Sequence, residues 1–273
     1  IFPGQTGNPF DKFLRLLNNI NLINPLLFSF SLIGLSGIGS LFNLSNWFIL
    51  LLFFILDWIL IHNLQIFKIS FGPPQSQVFL LAILRIPFIW LPSHYNVILQ
   101  IIGLLLVIYG FYYEPSHITC TNFEIRKNNL KNNHKIKIIQ IGDIHLERFG
   151  IRERKLIELL AIKQPDLIVF TGDFLNLSNN SDPISIDQIT SLLNSFQNFA
   201  PTYCVSGSPA VDLSSTLKII EAKSNVHFLN NIQTNLEING QKLNLIGLRC
   251  THDPLADIQN LNHIMIKPKE YNL

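Results

Sequence analysis

The hydrophobic pattern of this chain changes character once. Up to about Tyr113 the apolar residues come in long blocks with few polar interruptions, and from Ser116 onward they shorten into runs separated by charged and Asn-rich stretches. Four blocks stand out in the first part: Pro25 to Leu44, Trp47 to Leu64, Val78 to Leu91 and Val97 to Tyr113. About 20 apolar residues of helix cross the hydrocarbon core of a bilayer, so 25–113 is expected to hold about four transmembrane helices. The third is the shortest and carries Arg85 and Pro87. Before them, 1–24 is polar, with Phe13, Leu14, Leu16 and Leu17 beside Lys12 and Arg15. That predicts a short helix lying in the interface.

The second part, 114–273, reads as an α/β domain. Ile118 to Ile125 is expected to form a first strand and Asn128 to His134 a polar turn. Ile136, Ile138, Ile139 and Ile141 then make a β-branched run, and Leu167 to Phe170 repeats it, as in strands covered on both faces. Between them Ile151, Leu156, Ile157 and Leu160 recur at helical spacing with Glu153, Arg154, Lys155 and Glu158 mainly outside the stripe. Pro165 ends that helix. Further on, helices are expected from Ile186 to Phe196 and from Leu213 to Lys223, and short strands at Thr202 to Val205 and Val226 to Leu229. Asn239-Gly240 between Leu236–Ile238 and Lys242–Leu248 signals a two-residue hairpin.

The β-α-β frame ends each strand on an acid: Gly142-Asp143-Ile144-His145 after the first, Gly172-Asp173 after the second. A right-handed crossover of this length brings both strand ends to one edge of the sheet, where open α/β sheets form their sites. Two carboxylates and an imidazole gathered there repel and are poorly solvated alone, and a divalent cation relieves both problems. Mixed imidazole and carboxylate ligands favour Mn, Fe or Zn over Ca or Mg. Asp143, His145 and Asp173 are therefore the candidate metal ligands.

Gly142-Asp143-Ile144-His145 and Gly172-Asp173-Phe174 resemble the first two signature motifs of the calcineurin-like metallophosphoesterases, with the similarity running from about Ile118 to the end. The resemblance implies an α/β sandwich with a dinuclear metal centre, two Mn, Fe or Zn ions, that hydrolyses a phosphate mono- or diester with a metal-activated water. By position Asp143 and His145 would bind the first metal and Asp173 would bridge both. The third motif departs from the pattern. Where the family has Gly-Asn-His followed by an acid, this chain has Gly207-Ser208-Pro209-Ala210. The Asn that binds the second metal and the His near the leaving group are thus replaced. Ser208, Asp212, His252 and Asp253 are the nearest candidates to complete the site, whereas His227 and His263 read as structural or surface residues. The family's later motifs, a lone His and Gly-His-x-His, do not follow before Leu273, and the chain starts at Ile1 rather than Met. A longer natural protein, truncated here at both ends, is the expectation.

Composition adds a partner. Of 273 residues 48% are hydrophobic and 14% charged, with 21 Phe, and the mean hydropathy is +0.31. The partner this favours is a lipid bilayer. A net charge of +2 without a basic, aromatic-interleaved patch points to no nucleic acid. Cys120, Cys204 and Cys250 lack metal-ligand spacing and are expected to be buried, reduced thiols. Lys12, Arg15, Lys68, Arg126, Lys127, Lys131, Lys135 and Lys137 all fall on one side of a four-span topology, which predicts a multi-pass protein with its phosphoesterase domain in the cytoplasm, an orientation that reverses for the domain if the third block does not span. Asp57 and Arg85 lie inside apolar blocks. They mark either an ion or substrate path, as in a transporter, or a pair across neighbouring helices. The function expected is a membrane-anchored phosphoesterase acting on a phosphorylated small molecule or lipid. Its rival is a non-catalytic protein whose phosphoesterase-like domain binds a phosphorylated ligand or partner.

Overall fold

The computed structural model describes residues 9–70, 72–125, 135–264 and 271–272. The chain divides into two compact units, one spanning Lys12–His117 and the other running from Ile118 onward.

The first unit is helical. Pro9–Asn21 (α1) is followed by Pro25–Gly39 (α2), Leu44–Phe67 (α3), Pro74–Arg85 (α4) and Ser93–Ile108 (α5). Local chemistry sets these limits. Asn24 accepts from the Leu26 N–H ahead of Pro25, and Asn43 accepts from the Asn46 N–H, so α2 and α3 each start on an Asn cap. Lys68 ends α3 in the left-handed region at φ 61°. Pro87 cannot continue the α-helical ladder, and α4 passes into a 3-10 turn, Ile86–Trp90. The core contains Phe28 and Leu32 of α2, Leu50, Phe54 and Ile61 of α3, and Val78 and Ala82 of α4.

Asp57 and Arg85 pair. Arg85 Nε donates to Asp57 Oδ2 at 2.6 Å and Nη2 to Oδ1 at 2.8 Å, while Nη1 donates to the backbone oxygen and Oε1 of Gln100 at 2.8 and 3.0 Å. The guanidinium occupies the space a side chain at Gly103 would need, since a β-carbon there would lie 2.8 Å from Nη1. Three helices are thereby joined through one buried charge pair. Of the four expected spans, two reach the necessary length: Leu44–Phe67 and the continuous helical stretch Ser93–Ser116, 24 residues each. The other two come out shorter, α2 with 15 residues and α4 with 12. At 1.5 Å per residue, 15 residues cover roughly 22 Å of a core about 30 Å thick.

The second unit carries two sheets. Ile138–Ile141 (β1), Leu167–Phe170 (β2), Thr202–Cys204 (β3) and His227–Phe228 (β4) form a parallel sheet in that order, linked by helices Ile151–Lys163 (α6), Pro183–Phe196 (α7) and Ser214–Lys223 (α8). Ile138 pairs with Leu167 and Ile141 with Phe170, so β1 and β2 end level with each other. Ile232–Ile238 (β5) and Gln241–Gly247 (β6) are the expected hairpin, closed by Asn239 and Gly240 at φ 52° and 74°. Both left-handed turn residues match a type I′ turn. After Pro254–Asn262 (α9), Tyr271–Asn272 (β7) joins β6 in parallel. Ile141, Leu160, Ile168, Phe170, Ile189 and Phe196 belong to the core between the parallel sheet and its helices.

Two expectations are corrected. Residues 118–125 carry no strand; Phe123 and Ile125 are 88% and 86% exposed, so this apolar run has no ladder or core to enter. On the same segment Cys120 is exposed, whereas Cys204 in β3 is buried, where burial pushes its thiol far up. The expected turn at Asn128 to His134 lies outside the described residues.

Candidate metal centre

Because β1 and β2 end level, their exits leave the sheet together, and the chain keeps them paired beyond the strands. The Asp143 N–H donates to the Gly172 oxygen at 3.1 Å, His145 N–H to the Asp173 oxygen at 3.0 Å, and Leu146 N–H to the Phe174 oxygen at 2.9 Å. Following these bonds requires left-handed backbone at Asp143, His145 and Asp173, with φ of 54°, 44° and 58°. Each such residue costs about 1–2 kcal/mol. Backbone strain of this kind clusters where a structure holds side chains for chemistry.

The side chains converge. One ligand atom from each of Asp143, His145 and Asp173 lies within 4.8 Å of the others, and His145 Nε2 is 3.7 Å from Asp173 Oδ2. Asp143 is exposed and the other two are partly buried. Burial pushes the Asp173 carboxyl above the usual carboxylate range; the Ser208 N–H and His145 oppose that push, and the neighbouring Asp143 adds to it. A group of two carboxylates and one imidazole at this spacing suits a single transition-metal ion.

The third exit is packed hard against the second. A β-carbon on Gly172, at φ 93°, would overlap the Gly207 backbone, and one on Gly207 would overlap the Asp173 side chain. Glycine is required at both positions for this approach. Ser208 N–H then donates to Asp173 Oδ1 at 2.8 Å. Asp173 therefore turns Oδ2 toward His145 and Oδ1 toward the third exit.

Asp212 approaches the metal group by another route than ligation. Its Oδ2 accepts from the Asp173 and Gly207 N–H groups at 2.8 and 2.7 Å, and its Oδ1 from the Phe174 N–H at 3.0 Å. One buried carboxylate thus ties the second and third exits together through their backbones. Burial pushes this carboxyl up, against three N–H donors that favour its ionised form. Asp253 is the N-cap of α9, accepting from the Leu255 N–H at 3.0 Å, and lies outside the cluster of ligand atoms. His252 holds left-handed backbone at φ 61°, and its Nε2 is 3.2 Å from Ser208 Oγ. His227 is exposed beside Tyr203, and His263 is the exposed C-cap of α9.

A support layer escaped the sequence reading. Arg152 Nη2 donates to the Ile144 oxygen at 2.6 Å, and its Nε donates to Glu153 Oε1 at 2.8 Å. Glu153 Oε2 accepts from the Gly150 N–H at 2.7 Å. The first turn of α6 thus grips the loop between Asp143 and His145. A Glu at the third helical position reaching back to the cap N–H was legible in the sequence; Arg152 folding back onto Ile144 was not.

A parallel sheet whose two adjacent exits deliver two acids and a histidine is an α/β domain with a candidate metal site. Residues 136–264 match the calcineurin-like phosphoesterase family, and this part of the chain is a calcineurin-like metallophosphoesterase domain. Among curated proteins, an uncharacterized metallophosphoesterase of Bacillus subtilis (strain 168), YkoQ, is 27% identical over 130 residues, which cover 45% of this chain and 46% of that protein. The match spans about half the length of that relative.

Proposed function

We propose that this protein is a membrane-anchored phosphoesterase that hydrolyses a phosphate mono- or diester with the help of one or two Mn, Fe or Zn ions. The observation that carries the reading is the convergence of Asp143, His145 and Asp173 within 4.8 Å at adjacent strand exits. A cation held there would supply Lewis-acid charge to a phosphoryl oxygen and lower the pKa of water. Asp143 and His145 would hold it from the first exit and Asp173 from the second. The exposure of Asp143 keeps that edge open to a phosphorylated small molecule or lipid.

A specific observation favours a second reading, a domain that binds a phosphorylated ligand without cleaving it. The third exit offers Ser208 and Pro209 where the resemblance calls for Asn and His. Turnover decides between the two. With the detergent-solubilised chain, Asp173→Ala is expected to lose its bound Mn, Fe or Zn, and metal analysis showing undiminished content rules the site out. Metal-dependent cleavage of a nitrophenyl phosphate ester by the parent chain, lost on Asp143→Ala, selects the enzyme.

The anchor rests on helices that are apolar all round. In α3, Phe48, Leu52, Ile55 and Ile59 are exposed on the face opposite buried Leu50, Phe54 and Ile61. Such a helix belongs in a core or in lipid. On α5 and its continuation Tyr95 lies near one end, Tyr109 and Tyr113 at the other, all more than half exposed, as expected of rings at the two bilayer interfaces. We place the phosphoesterase domain in the cytoplasm, because Lys12 and Lys135 fall on the same side whether two helices cross or four.

A further inference from the structure

Ser208 sits one bond from the metal group without belonging to it. Its N–H is used by Asp173 Oδ1 at 2.8 Å, while its hydroxyl lies 3.2 Å from His252 Nε2. His252 arrives from a different sheet, on the loop that leaves β6. That loop is fixed on both sides of the histidine: Thr251 donates from its N–H and hydroxyl to Asp257 Oδ1 at 3.2 and 2.6 Å, and the Asp253 N–H donates to Thr251 Oγ at 3.1 Å. The left-handed backbone of His252 is therefore held in place rather than relaxed away. Ser208 and His252 are both only partly buried, so a substrate at the metal group can reach them.

A hydroxyl has one proton and two lone pairs. When a neutral imidazole donates Nε2–H to one lone pair, the hydroxyl proton is turned outward as a directed donor. Beside a cluster that recruits phosphate esters, the groups in need of such a donor are the non-bridging oxygens of the phosphoryl group, whose charge grows during displacement.

We propose that Ser208 Oγ–H donates to a non-bridging oxygen of the substrate's phosphoryl group, and that His252 is the positioning residue that holds the hydroxyl in that orientation. The proposal rests on the metallophosphoesterase reading of the adjacent cluster. Ser208 is then a binding residue and His252 acts only through it.

The test uses the full chain in detergent with Mn2+, bis(4-nitrophenyl) phosphate and 4-nitrophenyl phosphate. Ser208→Ala and His252→Ala are each expected to lower kcat/KM about ten- to a hundredfold, the range for losing a hydrogen bond to a charged group. His252→Gln, which keeps an amide donor, is expected to stay within a few-fold of the parent. The double alanine variant should be no worse than Ser208→Ala, and bound Mn should be equal in all. Unchanged kcat/KM in His252→Ala, or additive losses, overturns the proposal. Calorimetric binding of inorganic phosphate to the Mn-loaded chain gives a readout independent of turnover: weaker in both alanine variants and restored in His252→Gln. Equal phosphate binding by the parent and both alanine variants overturns the proposal even where no ester is cleaved. A parent chain that binds no Mn removes the underlying site as well, whereas Mn binding with no dependence on Ser208 removes this inference alone.

Discussion

Asp143, His145 and Asp173 were legible as residues because their types are unusual company at two successive strand exits. What the sequence could not supply was the role of Asp212, which is 39 positions from Asp173 and carries no motif. Its position was noticed, but its task was not: it accepts three backbone N–H groups instead of offering an oxygen to a cation. The two roles predict different outcomes. Asp212→Ala leaves one buried and two partly buried donors without their acceptor and is expected to lower stability by about 1–3 kcal/mol, read as a fall in the thermal midpoint of the metal-free chain. A ligand role would instead weaken metal binding and leave that midpoint almost unchanged. Asp253 is instructive in the opposite sense, since an acid beside a histidine suggested a site and the structure gives it a helix cap.

At the scale of elements, periodicity located the strands and helices of the β-α-β frame because each buries an apolar face of definite period. The run at 118–125 has the composition of a strand and forms none, since strand composition does not by itself provide a neighbour to pair with. The site depends most on how closely the second and third exits approach, and glycine decides that. Gly172→Ala is expected to destabilise the domain strongly, because the added methyl would overlap the Gly207 backbone while φ stays at 93°. Gly240→Ala is the control: φ is 74° but nothing stands within 4 Å, so about 1–2 kcal/mol of backbone strain is the whole effect. Thermal melts of the two variants should differ clearly, and equal midpoints would mean that the exits can move apart at little cost.

For the whole molecule, the hydropathy changes near Tyr113, and the chain path passes from one compact unit to the other between His117 and Ile118. Counting spans from composition was less secure, because turns and Pro87 cut two of the four apolar blocks below a membrane's thickness. The arrangement proposed above predicts that the chain sediments with membranes and resists extraction by high salt or alkali. It also predicts that protease added to intact cells leaves the phosphoesterase domain whole. Cleavage of the domain from outside would reverse the orientation, and release by salt would remove the anchor.

The bidentate pair between α3 and α4 also has a temporal side. Asp57 precedes Arg85 by 28 positions, and at about 5–20 residues per second the ribosome takes roughly 1–6 seconds to supply the partner. During that interval a helix entering lipid would carry a lone carboxylate, and Gln100, from which Arg85 draws its remaining acceptors, comes 15 positions later still. If this unit enters a bilayer as proposed, its three helices are thus poor candidates for release one at a time. In the membrane-anchored arrangement proposed above, each would wait for the next beside the insertion machinery, and the order in which they are made would become part of how this unit acquires its fold.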